Sequence, residues 1–149
     1  MPNFDTLKMN YKIIKVDPAA YSLNIPEDFV YDKDTIKING NTQIKLEVIG
    51  AENKLNVIID IIMAVDYVEK EHPSFEVFTL KAITTFKIDD VSRHLENLST
   101  IELSDAKIAP IIKISIDHAR GIQSAYLKGT PISKFTLPDI NLMKVKEVE

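Results

Sequence analysis

The chain of 149 residues has no cysteine, no tryptophan and only four glycines. Without cysteine there are no disulfides, no thiolate nucleophiles and no Cys-ligated zinc, a composition that suits a reducing compartment. A surplus of positive charge is also missing. Eighteen Lys and Arg face 22 Asp and Glu, for a net charge of -4, and no stretch gathers basic residues with interleaved aromatics. Nothing in that balance holds a phosphate backbone, so nucleic acid is not expected as a partner. Long hydrophobic runs are lacking too. The longest, "VIIDIIMAV" from Val57 to Val65, is broken by Asp60 and falls far short of the roughly 20 residues a membrane helix needs. The opening "MPNFDTLKMNYK" has no basic-then-apolar leader pattern. These absences together set the expectation of a cytoplasmic protein without membrane insertion.

What is present is an ordinary globular composition, 45% hydrophobic and 27% charged, rich enough in Ile, Leu and Val to fold. The length fits one domain, residues 1–149, able to bury roughly two thirds of its unfolded surface.

Four segments read as strands. Between Thr35 and Ile49, Ile36, Ile38, Ile44, Leu46 and Val48 share one parity while the intervening positions are polar, the pattern of a half-buried antiparallel strand. "NGN" at 39–41 suggests a bulge or a bend within it. After the turn "GAENK", Leu55 to Val68 carries apolar residues on both parities and reads as a central strand. Phe75 to Ile88 is a further strand with Phe78, Leu80, Ala82, Phe86 and Ile88 in phase. The first strand combines Met9–Val16 with Tyr21–Ile25 around an irregularity at "DPAA".

The remainder has helical spacing. "DDVSRHLENL" repeats Val91, Leu95 and Leu98 at intervals of four and three, a short helix capped by Asp89 or Asp90. From Leu103 to Lys128 a stripe of Ile108, Ile111, Ile112, Ile116, Ala119, Ile122 and Tyr126 predicts a long amphipathic helix starting near Ser104 or Asp105. Pro110 fits there in the first turn or as a kink. Gly129 suits a left-handed cap, and Pro138 suits the first turn of a final short helix, Asp139 to Val148. Strands followed by helices make an α+β protein: a four-stranded antiparallel sheet, then a long helix and a short C-terminal one.

Two clusters invite a chemical reading. Ser115, Asp117 and His118 could form a nucleophile and base, but positions i, i+2 and i+3 of a helix do not share one face. His118 and Arg120 are better placed to pair with Asp117 or Asp139. Glu69, Glu71, His72 and Glu76 include metal-ligand types, yet they flank Pro73 in a solvated turn and read as a charged hairpin tip. No Gly-rich phosphate loop or paired carboxylates in an apolar strand occur. The sequence therefore asks for no enzyme, cofactor or metal. Apolar positions on both faces of two strands imply instead that the second face also meets protein, most simply another copy of the chain.

The chain resembles the bacterial protein-export chaperone SecB. The marks are Ala109-Pro110-Ile111-Ile112 at the entry of the long helix, Ala119-Arg120 in its middle, Lys128-Gly129-Thr130-Pro131 at its turn, and Leu137-Pro138-Asp139-Ile140-Asn141-Leu142 at the start of the last helix. Upstream, "YKIIKVD" at 11–17 is similar to the family's first strand and "FTLKAITTFKID" at 78–89 to its last. The resemblance implies a SecB-like fold, a homo-oligomer (dimer or tetramer), and a holdase that binds unfolded polypeptide clients in grooves between sheet and helix. Candidate groove residues are Phe78, Leu80, Phe86, Ile116, Tyr126, Phe135 and Leu137, with Pro110, Arg120, Gly129 and Pro138 as structural marks. The family docks on the motor SecA through strand acids. Asp17 stands as one such acid, whereas Tyr21, Thr79 and the Ile83-Thr84 pair occupy positions where the family carries others or glycines. A SecB-like oligomer dedicated to one partner, such as an antitoxin-type or phage client, without a SecA link, is the alternative.

Overall fold

The computed structural model describes residues 10–69, 73–94 and 108–134. Four strands, β1 (Tyr11–Leu23), β2 (Ile36–Ile49), β3 (Lys54–Tyr67) and β4 (Phe75–Ile88), form one antiparallel sheet in the order β1-β4-β3-β2. A short helix α1 (Val91–His94) and a 19-residue helix α2 (Ala109–Leu127) follow. The α+β class expected from the sequence holds for the described residues.

Alternation in β3 sets the two faces of the sheet. Leu55, Val57, Ile59, Ile61, Met63 and Val65 are buried, while the intervening residues are half-buried. In β4 the even positions from Phe78 to Ile88 are buried opposite them, paired as Leu55 with Phe86 and Ile61 with Leu80. Directly opposed residues of an antiparallel pair point to the same face. That face carries α2, whose Ile111, Ile112, Ile116, Ala119 and Leu127 close the core. Each fully buried Ile, Leu or Phe contributes about 1.5–3 kcal/mol of transfer free energy.

Several details depart from the expectation. β1 is one continuous strand, with register shifts at Ile13/Lys15 and Pro18/Ala20. The second shift accounts for the irregularity at "DPAA". The bulge expected at "NGN" is not formed, because β2 pairs with β3 without a shift from Ile36 to Ile49. A shift falls instead at Met63/Ala64 of the β3 and β4 pair. Helix α2 starts at Ala109 with Ile108 as its N-cap, not near Ser104 or Asp105. Pro110 lies in its first turn, where the missing N–H costs no helical bond and no kink is required. At the other end Gly129 takes φ 82°, the left-handed cap conformation. Thr130 then donates from its backbone N and its hydroxyl to the Leu127 carbonyl, at 3.0 and 2.7 Å. The predicted last helix and its Pro138, together with Phe135 and Leu137, lie outside the described residues, as do Leu95 and Leu98.

Strands β1 and β2 are consecutive in sequence but sit on opposite edges of the sheet. The connection 24–35 therefore crosses the strand ends. It is anchored by Asn24 N donating to Val77 O (2.9 Å) and by Phe29 against Phe75, edge to face at 6.4 Å.

Candidate functional site: an apolar strand beside the helix

Six of the eight large hydrophobic residues exposed on the described surface lie on β1. Their position follows from the two register shifts. Tyr11 and Ile13 are odd, Val16 and Pro18 even, and Tyr21 and Leu23 odd again. Each shift reverses the parity of the strand, so these residues, five of them among the exposed hydrophobics, point to the side of the sheet that carries α2, while Ile14 sits at the first shift. Without the shifts, the middle or the end of this set would turn to the opposite face.

The result is an apolar ribbon along the outer edge of the sheet, next to α2. Ile13 is 44% exposed, Val16 38% and Tyr21 54%. Tyr21 is stacked on Tyr126 of α2, and Tyr11 meets Phe86 edge to face at 5.8 Å. Among the described residues β1 is the terminal strand, with hydrogen-bonded neighbours on one side only, and such an edge presents a row of backbone N–H and C=O groups for strand addition. A second apolar surface lies at the far end of the sheet. Half-buried Phe29 and Tyr67 both meet Phe75 there, and Val30 (75% exposed) and Val68 (66%) follow Phe29 and Tyr67 in the chain.

The sequence-derived groove residues fall elsewhere. Phe78, Leu80 and Phe86 are at most 2% exposed and Ile116 is 5% exposed. They form the floor and the underside of the contact between α2 and the sheet, so an incoming chain reaches them only if α2 moves. Only Tyr126, half-buried at the rim, touches the open surface among the candidates within the described residues. Tyr11, Ile13, Val16 and Leu23 were not singled out, because a strand whose apolar phase breaks twice gives no clean alternation. The two breaks were themselves the available signal.

Asp17 lies on the face away from α2, half-buried, 3.8 Å from Lys15 of its own strand. Arg120 reaches Asp117 at 4.0 Å, and Asp117 also accepts from Lys113 at 3.0 Å. Ser115, His118 and Asp117 are engaged separately. The Ser115 hydroxyl donates to the Ile111 carbonyl (2.8 Å), His118 Nδ1 meets the buried Thr84 hydroxyl on β4 (3.2 Å), and Asp117 faces solvent. They do not converge as a nucleophile and base would. Among the described residues no three His, Asp or Glu side chains gather as metal ligands, and no helix is long and apolar enough to cross a membrane. Glu71 and His72 lie outside the described residues.

No family model and no curated protein matches the chain. Seven chains of solved structures do match. One is a SecB-like chaperone of Mycobacterium tuberculosis in complex with a ChAD peptide from the HigA1 antitoxin, similar at a TM-score of 0.46 and 8% sequence identity over 88% of this chain and 91% of that one.

Proposed function

We propose that the protein is a SecB-like holdase, which captures unfolded or non-native polypeptide in the cytoplasm and works as a homo-oligomer. The observation that carries the reading is the concentration of exposed apolar side chains on one edge strand, aligned on the side of α2 by two register shifts. An extended client desolvates its own apolar side chains on that ribbon and adds backbone hydrogen bonds along the open edge. Capture of the unfolded state by mass action requires no nucleotide. Support from the sequence comes from the Ala109-Pro110, Ala119-Arg120 and Gly129-Thr130-Pro131 marks, which fall at the first turn, the middle and the cap of α2.

A dedicated-partner version is favoured by one further observation. Asp17, the remaining candidate for motor docking, already pairs with Lys15, and uncharged Tyr21, Thr79 and Ile83 occupy the neighbouring strand positions. The protein then serves one aggregation-prone client and has no SecA link.

Light scattering of chemically denatured clients diluted into the purified protein tests the reading, with SecA binding measured in parallel. Suppressed aggregation of several clients is the expected result. Suppression without SecA affinity selects the dedicated-partner version, and no effect on any client refutes the holdase.

A further inference from the structure

The face of the sheet opposite α2 has a charge pattern that the holdase reading does not use. All charged residues of the four strands point to it. They are seven lysines and five carboxylates, a positive surplus in a chain whose net charge is -4. The lysines are also placed against one another. Lys87 of β4 is directly opposite Lys12 of β1 on one side and Lys54 of β3 on the other, so three ammonium groups form one row across three strands. Like charges directly opposed on a sheet destabilise it.

The carboxylates of this face do not relieve that row. Asp17 is paired with Lys15, Glu47 accepts from Asn56 (3.0 Å), Asp66 accepts from Asn39 and Ser74, Asp60 stands directly opposite Lys81, and Glu76 lies opposite Ala64 at the far end of β4. Of the three lysines in the row only Lys54 forms an ion pair among the described residues, with Glu52 at 3.7 Å. Lys12 and Lys87 form no ion pair among the described residues, and neither do Lys37, Lys45 and Lys81. Between the lysines lie half-buried Ile58, Ile62 and Ile83, and among the described strand residues no aromatic side chain stands on this face to stack a base. Beside the row, Asn10, Tyr11, Lys12, Lys87 and Asp89 line an open depression.

We infer that this face is a docking surface for an acidic polypeptide segment with interspersed apolar residues, centred on Lys12 and Lys87. Its carboxylates neutralise Lys12 and Lys87, which form no ion pair among the described residues, and its apolar residues cover the neighbouring isoleucines. The occupant is complementary in charge to the lysines, and it approaches the side of the sheet away from the β1 ribbon and α2. The two surfaces are therefore separable by mutation.

The test is fluorescence anisotropy with a labelled 16-residue peptide alternating Glu and Leu, against a Lys and Leu peptide and a labelled single-stranded oligonucleotide. The acidic peptide is expected to bind at low salt and to lose about tenfold or more in affinity when salt is raised to where the Debye length falls below about 8 Å. Lys12→Glu with Lys87→Glu is expected to weaken it at least tenfold, while Lys33→Glu, in an exposed turn off the sheet, leaves it unchanged. If the double glutamate variant does not fold, Lys12→Met with Lys87→Met removes both charges without adding new ones, and the same loss is expected. The proposal is overturned if the acidic peptide does not bind at low salt, if Lys33→Glu weakens it as much as the double variant, or if the oligonucleotide binds equally well through the same lysines. Client holding measured on the same variants stays intact if only this proposal fails, and is lost in the wild type if only the holdase reading fails.

Discussion

Tyr21 of β1 and Tyr126 of α2 lie nearly parallel, with ring centroids 4.0 Å apart and planes 21° from coplanar. The stack ties the exposed edge strand to the C-terminal end of the helix above the core. Aromatic pairs of this kind are worth about 0.5–1.5 kcal/mol beyond the area they bury. A double-mutant cycle with Tyr21→Ala and Tyr126→Ala, read by denaturant unfolding, is expected to give a coupling within that range. A coupling near zero would mean that the helix end and the edge strand are energetically independent.

The core residues make the opposite kind of prediction. Phe86 and Leu80 are fully buried beneath α2, so Phe86→Ala is expected to cost about 3–5 kcal/mol and Leu80→Ala about 2–5 kcal/mol of stability. If they were groove residues, truncation would instead weaken client binding while the unfolding midpoint stayed near that of the wild type. Thermal and urea unfolding of both variants, with client binding measured on whatever remains folded, distinguishes the two roles.

Gly129 holds φ at 82° with no atom near the position a Cβ would take. The obstacle to substitution is therefore backbone conformation and not space. Gly129→Ala is expected to destabilise by about 1 kcal/mol, and Gly129→Asn by less, since Asn tolerates the left-handed region. Equal losses for the two variants in urea melts would point to a cause other than φ.

The buried Thr84 hydroxyl and His118 Nδ1 join sheet to helix at 3.2 Å. Thr84→Val keeps the shape and deletes the bond, with an expected loss of about 0.5–1.5 kcal/mol. His118→Ala should cost a comparable amount, and the double variant little more than either single one. Strict additivity would show that the bond contributes nothing.

Much of this architecture was legible in the sequence, and the reasons differ by element. β3 and β4 were plain because both strands lie inside the sheet with one face under α2, so that face is apolar without a break from Leu55 to Val65 even though Ile58, Ile62 and Ile83 also make the other face partly apolar. The helix was recognised from the stripe Ile111, Ile112, Ile116 and Ala119, but its start was placed too early. Pro110 and the absence of any side-chain cap at Ile108 made the upstream Ser104 and Asp105 look like better caps than the position used. The groove candidates Phe78, Leu80, Phe86 and Ile116 are buried in the contact between α2 and the sheet for a related reason. Large apolar side chains in phase are what a core requires, and their size alone does not tell a core from a binding surface. The surface residues were hidden by the two reversals of parity in β1, and the charge sorting of the opposite face emerged only when the register aligned Lys12, Lys87 and Lys54 in one row.

The most direct test of the central claim is amide hydrogen exchange, residue by residue, on the protein with and without a bound unfolded client. Binding along β1 predicts slower exchange at the outward-facing amides of the Tyr11–Leu23 strand and at the Tyr126 end of α2, and predicts that Val16→Asp with Tyr21→Asp removes this protection together with client capture. Capture that persists in that variant, or protection confined to other elements, would contradict it.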